Sequence, residues 1–373
     1  MSCRRFGWIA AAVVAGVLLP VGVASAATPW TVSPSPNVGS DWLTGVSVDS
    51  TTDGWAIGAV YEPNTYAPLV EHWNGTKWKP VTTAAGGGDS LYTINAESSS
   101  NVWIGGLGDV DPILLHYDGA NWTRTQLSQP TGQDEIAGPV TARSASDVWT
   151  AGAYINLHNA EKLFLDHWTG SRWHHTLVVS EPRTCFTTVT DLVELSTHDV
   201  WFDTATDCGG IQTDAVYQWN GTSLVLQDAP TGAPGSTYAF TGIGASSPTS
   251  PVFVVGSGTG SSGFQNSLAD RYNGSTWAED DPPAFMVDHW LTAVASASAS
   301  SVWAVGNRTS GADTDNLLDS WNGSSWTEYG GPNPNPQNTL SAVTAVPGSS
   351  EWWAVGSTQV GHRLKTMILH CCG

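Results

Sequence analysis

Basic side chains are scarce in this chain: 13 Lys and Arg stand against 33 Asp and Glu, a formal charge of −20 at neutral pH. Nucleic acids and anionic membranes are bound through clustered Lys and Arg that displace counterions, so neither is an expected partner. Charged residues of both signs make up only 12 % of the chain, and no segment sustains a helical apolar period, which argues against a helical protein. Long apolar runs are confined to one, Phe6 to Val23, preceded by Arg4-Arg5 and followed by Ala24-Ser25-Ala26 before Ala27. That layout is expected of a cleaved secretory signal, leaving a secreted, extracellular chain from residue 27. The small residues and the Pro-rich segment Thr28 to Pro36 form no stop-transfer flank, so no membrane association is expected after cleavage. The arginine pair leaves Sec and Tat export both open. Loss of residues 1–26 removes two of the 13 basic residues and no acidic ones, moving the formal charge from −20 to −22. Such a charge favours solubility outside the cell.

What is abundant is glycine (40), proline (21) and tryptophan (20), a composition of short strands and turns. One phrase recurs: an apolar strand, a Ser/Asp-rich turn, V-W-x-x-G, a variable stretch, then an aromatic residue, Asn-Gly and Trp. Aligned on its first aromatic, it occurs seven times, at Trp55, Trp103, Trp149, Trp201, Phe253, Trp303 and Trp353, 46 to 52 residues apart. The second aromatic follows at Trp73, Tyr117, Trp168, Trp219, Tyr272 and Trp321. The third position is Trp78, Trp122, Trp173, Leu224, Trp277 and Trp326. Both later series stop at six, because the chain ends at Cys371-Cys372-Gly373 with Cys371 in the second aromatic position. The missing piece lies at the other terminus, where Pro29-Trp30-Thr31-Val32 resembles the last strand of a repeat.

Each repeat reads as four antiparallel strands: A as Leu43 to Val48, B as Trp55 to Val60, C as Leu69 to Trp73 and D as Lys77 to Val81. Asn-Gly at 74–75, 220–221, 273–274 and 322–323 suggests a type I′ hairpin between C and D, which needs positive φ at both central residues. A lone four-stranded sheet cannot bury both faces, whereas sheets stacked radially in a ring leave only short edges. The expected fold is therefore all-β: a seven-bladed β-propeller of four-stranded antiparallel blades over 27–373, with Trp30 completing the last blade beside residues 367 to 371.

The pattern resembles kelch-type propellers in repeat length, in the Gly after strand B, and in the Tyr/Trp and Trp that follow. The likeness covers residues 28 to 373. It departs in placing V-W before the glycine and in having a diglycine only at Gly105-Gly106. It is also similar to secreted actinobacterial repeat proteins with D-V-W-A-V-G and E-H-W-N-G phrases, a resemblance that implies no activity. Galactose oxidase-type propellers, more distantly similar, imply a Cys-linked Tyr and copper, yet no Cys has a plausible channel position here. A sialidase-like reading implies an arginine cluster, but Arg143, Arg183, Arg271, Arg308 and Arg363 share no inward placement.

Sixteen of the 20 Trp fill the three repeat positions or Trp30, where large aromatics wedge between sheets. Trp352 is read as structural. Trp42 and Trp290, each preceding Leu-Thr at the start of strand A, are the ligand-binding candidates, with ordinary packing as the alternative. They lie on the face that carries the D–A and B–C loops, whose variable B–C segments ("AVYEPNTYAP", "NRTSGADTDN") are where binding is expected on a rigid scaffold. Cys185 and Cys208 fall on the same face of the fourth repeat and are expected to form a disulfide in an exported chain. Cys371-Cys372 is open between a vicinal disulfide, free thiols and an intermolecular bridge. His72, His116, His167 and His370 share one repeat position and read as structural. His174-His175 points to opposite faces of its strand. No metal site and no cofactor are expected; the carboxylates Asp109 and Asp111, or Asp313 and Asp315, form no full calcium set. The Asn-Gly-Thr and Asn-Gly-Ser triplets match glycosylation acceptors but coincide with the hairpin.

These readings favour a non-catalytic binding or scaffolding propeller, expected as a monomer, with extracellular carbohydrate or a cell-surface polymer as ligand. Binding of another protein, and polysaccharide hydrolysis by acidic residues in the central channel, are the alternatives. A carboxylate pair facing one cavity would favour hydrolysis.

Overall fold

The computed structural model describes residues 29–372 apart from 63–64, 109–111, 126, 128–132, 156–160, 181–185, 208–211, 228, 230–236 and 260–262. The expected signal segment, the Cys185–Cys208 disulfide, Arg183 and the pair Asp109 and Asp111 lie outside the described residues. After β1 (Thr31–Ser33), blade 1 holds β2 (Ser40–Ser50), β3 (Asp53–Glu62), β4 (Thr65–Trp73) and β5 (Trp78–Pro80). Blade 2 holds β6 (Ser90–Ser98), β7 (Asn101–Leu107), β8 (Pro112–Tyr117) and β9 (Trp122–Thr125). Blade 3 holds β10 (Gln133–Ser144), β11 (Asp147–Ile155), β12 (Glu161–Trp168) and β13 (Trp173–Ser180). Blade 4 holds β14 (Phe186–Ser196), β15 (Asp199–Asp207), β16 (Gln212–Trp219) and β17 (Leu224–Gln227). Blade 5 holds β18 (Thr237–Gly244), β19 (Val252–Thr259), β20 (Gln265–Tyr272) and β21 (Trp277–Glu279). Blade 6 holds β22 (His289–Ser298), β23 (Ser301–Ser310), β24 (Asp313–Trp321) and β25 (Trp326–Gly330). Blade 7 holds β26 (Asn338–Ala345), β27 (Trp352–Val360) and β28 (Arg363–Cys371), and its fourth strand is β1.

The seven-bladed ring and its closure are therefore as the repeats imply. Thr31 pairs with His370, Val32 with Leu369 and Ser33 with Ile368. Seven apolar clusters account for the ring, each drawn from two neighbouring blades. The first aromatic of each repeat reaches into the next blade: Trp55 meets Tyr117 and Trp122, and Trp353 meets Trp73 and Trp78. A buried side chain of this kind contributes roughly 1.5–3 kcal/mol over an exposed one. The shared histidine has a structural use in four blades. His72, His116, His167 and His370 stack on Trp55, Trp103, Trp149 and Trp353 at 3.9–4.2 Å. Each also donates from Nε2 to the A–B turn, for example to Asp53 at 3.0 Å and Asp147 at 2.7 Å.

Every pairing of a blade's first two strands in chain order, from β2–β3 to β26–β27, carries a register shift near its start, at Leu43/Gly45 in blade 1 and Leu291/Ala293 in blade 6. Such a bulge leaves one residue unpaired and bends the strand. It also explains V-W-x-x-G. A Cβ on Gly58 or Gly306 would overlap the carbonyl oxygen of Trp42 or Trp290, and Gly256 and Gly356 meet their first strand in the same way. Gly306→Ala is expected to destabilise the ring by about 1–3 kcal/mol, as overpacking does. Exposed Gly87, with open space around it, should tolerate alanine within ~0.5 kcal/mol. Urea midpoints of the two variants check this.

The C–D turn differs from the type I′ expectation. Among the described non-glycine residues only Cys372 has positive φ, while Gly75, Gly221, Gly274 and Gly323 have φ of 83–98°. Asn74 instead stays on the negative side and uses its side chain: Oδ1 accepts from the Thr76 and Lys77 amides, both at 3.1 Å. The same closure recurs at Asn220, Asn273 and Asn322, so four residues, not two, connect Trp73 to Trp78.

Candidate functional site

The strands run past their expected bounds on one face. β3 extends to Glu62 and β4 begins at Thr65, so most of the variable "AVYEPNTYAP" segment is hairpin rather than loop. The same holds for β23 and β24 around "NRTSGADTDN". Residues that vary between repeats are thereby held on paired backbone.

In blade 1 this extension carries Tyr61 and Tyr66, directly opposite each other. Their rings lie 5.5 Å apart, and Trp42 meets Tyr66 edge-on at 5.4 Å and 80°. Tyr61 and Tyr66 are about half exposed. The three aromatics line a hollow of about 570 Å³ whose other wall belongs to blade 7, with Thr339, Ser341, Ser357, Gln359 and His362. The hollow thus straddles the closing seam of the ring. Segment 35–41 fixes that seam: Asp41 accepts the amides of Val38, Gly39 and Thr366, and Lys365 Nζ donates to the Gly39 carbonyl at 2.7 Å. Chemically the hollow pairs an aromatic wall with hydroxyl, amide and imidazole groups.

Trp290 occupies the corresponding place in blade 6, half-buried, with its strand opposite Asn307. It lines none of the hollows described here, so the two candidate tryptophans are not brought together. Tyr61 and Tyr66 were readable only as members of a variable segment; nothing in their spacing marks them as partners of Trp42. Trp352 is buried in the blade 6–7 core.

The central channel holds a hollow of about 250 Å³, lined by the bulge residues Thr44, Tyr92, Thr190, Thr241, Thr292 and Ser341 among others. Thr44, Thr241 and Thr292 donate their hydroxyls to the carbonyls of Leu91, Leu291 and Leu340 in the following blade, at 2.8–3.2 Å. Asp191 is the one carboxylate among the described channel-lining residues. Burial pushes its pKa up to about 6 against the pull of the Leu192 and Ile243 amides, which it accepts at 2.8 and 3.1 Å. Asp203, opposite it in register, is fully buried, accepts the Thr190 hydroxyl and is raised well above the carboxylate range by burial and by Asp191. A third hollow, about 550 Å³, opens from the channel between blades 2 and 4, with half-exposed Tyr92 and Phe186 on its rim.

The other singled-out groups engage in local contacts. His175 Nδ1 lies 2.7 Å from Asp166, and His174 meets Thr169. Asp315 lies 3.9 Å from the Arg308 guanidinium, a poor neighbour for a cation. Cys371, nearly fully buried, is bonded to Cys372. Among the described residues no three His, Cys, Asp or Glu are grouped to hold a metal ion.

No protein-family model matches the chain, and no curated protein sequence matches it. Among solved structures it is similar to one described as YCF48 bound to D1 peptide, with TM-score 0.58 and 13 % identity over 95 % of this chain and all of that one. The likeness is one of fold. A structure of SapL1 lectin in complex with alpha methyl fucoside matches with TM-score 0.45 and 10 % identity over 79 % of this chain and 96 % of that one.

Proposed function

We propose that the protein is a secreted, non-catalytic binding propeller of kelch-like repeat type, and that its ligand is an extracellular carbohydrate or cell-surface polymer held at the blade 7–blade 1 seam. The observation that carries this reading is the Trp42–Tyr66–Tyr61 wall facing the hydroxyl, amide and imidazole groups of blade 7. The C–H face of a sugar ring packs on an aromatic face. Its hydroxyls need Ser, Thr, Gln and His partners of the kind that blade 7 provides. An acidic chain short of Lys and Arg fits neither nucleic acid nor an anionic membrane. Hydrolysis by a carboxylate pair would need two carboxyls facing one cavity. Among the described lining residues of the three hollows Asp191 is the one carboxylate, and its oxygens already accept two amides.

Screening the mature chain, residues 27–373, on a glycan array tests the ligand class, with hydrolysis measured on every hit. Trp42→Ala should weaken binding of a hit at least tenfold, which corresponds to ~1.4 kcal/mol, while leaving the urea midpoint near wild type. Failure to bind any glycan, or turnover of a bound one, would sink the proposal.

A further inference from the structure

The three hollows on the loop face are not separate. Ser341 lines both the seam hollow and the channel, and Tyr92, Thr93, Thr190 and Thr241 line both the channel and the hollow between blades 2 and 4. From this continuity we infer that the site is an extended groove across the channel mouth, built for a linear, uncharged glycan several sugars long rather than for a single sugar. The inference rests on the carbohydrate reading above and adds the length and charge of the ligand.

Three features support it. Aromatic platforms stand at the two ends: Trp42, Tyr61 and Tyr66 at the seam, and Tyr92 and Phe186, 45 % and 52 % exposed, at the far side. Exposed aromatics on a monomer's concave surface mark contact sites rather than core. Between them lies the hydroxyl belt of the bulges. The hydroxyl hydrogens of Thr44, Thr241 and Thr292 are already engaged by backbone carbonyls, so each threonine offers lone pairs to the channel and accepts from sugar hydroxyls. Charge supplies the third feature. No Lys or Arg occurs among the described lining residues, and the one carboxylate is Asp191. Among those described residues a uronate, sulfate or phosphate on the chain would find no cation, and it would meet the field of a strongly acidic protein.

The test is a calorimetric titration of the mature protein with length series, monomer to octamer, of neutral glucan, mannan, galactan and chitin oligomers, with oligogalacturonate as the charged comparison. Affinity for one neutral series should rise at least tenfold from dimer to hexamer and then level off. The double variant Tyr92→Ala/Phe186→Ala should lose that gain and keep the dimer affinity, with an unchanged urea midpoint, whereas Trp42→Ala should weaken every length. Length-independent binding that still depends on Trp42 overturns the groove and leaves the seam hollow standing. Tighter binding of oligogalacturonate overturns the inferred charge class. Binding of no glycan in any series overturns both the groove and the carbohydrate reading.

Discussion

Trp30→Ala is expected to destabilise the ring by about 3–5 kcal/mol, the range for truncating a buried tryptophan. A single side chain carries this much because the closing strand is short. β1 contributes three paired residues, of which Thr31 and Val32 are exposed. Trp30, by contrast, is 2 % exposed and sits edge-on to Trp303 at 5.3 Å. It shares a cluster with Met367, Leu369 and Cys371. Without it the seventh blade exposes the outer edge of β28, an unpaired strand edge of the sort native proteins avoid. The remaining latch is polar: Ser35 meets Thr366 at 2.6 Å, and the Thr366 amide donates to Asp41 at 3.1 Å. These bonds join residues more than 320 positions apart, and each contributes only about 1 kcal/mol net. Val32→Ala, at a half-exposed position of the same strand, should cost less than ~0.5 kcal/mol. Urea unfolding followed by tryptophan fluorescence separates the two. A Trp30→Ala midpoint indistinguishable from that of Val32→Ala would mean that β1 is held on blade 7 by something other than this side chain.

Much of this architecture was legible because a propeller repeats its physics. Seven copies of one aromatic spacing imply seven equivalent interfaces, and the incomplete last copy implies closure by the other end. The structural role of the shared histidine followed from its recurrence alone. Features that depend on contacts between repeats were not legible. At the bulge Leu43-Thr44-Gly45 the apolar series steps by three, from Leu43 to Val46, before alternation resumes at Val48; a single such step does not by itself mark a bulge, and with it go the hydroxyl belt and the reason for the glycine opposite. The C–D turn failed for a different reason: Asn-Gly suits both a type I′ turn and a side-chain-capped four-residue connection. Only the pairing of Trp73 with Trp78 decides between them. Trp42 was marked by not fitting the repeat. Tyr61, Tyr66, Tyr92 and Phe186 carried no such mark, because their meaning comes from neighbours in other strands and blades.

The ring should also lose stability as pH rises from about 6.5 to 9, through carboxyls buried in the blades. Burial raises Glu71 to about 8, against the lowering effect of the Ser35 hydroxyl that donates to it at 3.2 Å and with a further push from Asp41. Asp270 is raised to about 8 by burial and then by Asp281, Glu279 and Asp280; Glu194 goes to about 9 by burial and then by Asp147. Asp319, fully buried with neither oxygen bonded among the described residues, is also raised by burial and by Glu328. In each case the folded pKa lies above the unfolded one near 4, so between the two the native state holds protons that the unfolded chain has released. Stability then falls as pH rises, by at most about 1.4 kcal/mol per pH unit for each titrating group. Two histidines act in the opposite sense at lower pH. His289, lowered to about 4 by burial and then by Arg308, and His116, lowered chiefly by burial, must stay neutral in the fold. Acidification below the unfolded value near 6.5 therefore costs stability through them, which opposes the gain from the carboxyls below that pH. Between 6.5 and 9 the raised carboxyls act without that opposition. Glu71→Gln keeps the shape and the acceptor for Ser35 but removes the proton equilibrium. It should raise stability at pH 9 by about 2 kcal/mol, within the span allowed by Glu71's shift, and change it little at pH 5. Urea midpoints at pH 5, 6.5, 8 and 9 for both proteins measure the slope. A wild-type curve that is flat or rising from 6.5 to 9, or a Glu71→Gln curve parallel to it, would show that these carboxyls are solvated and ionised in the native ring.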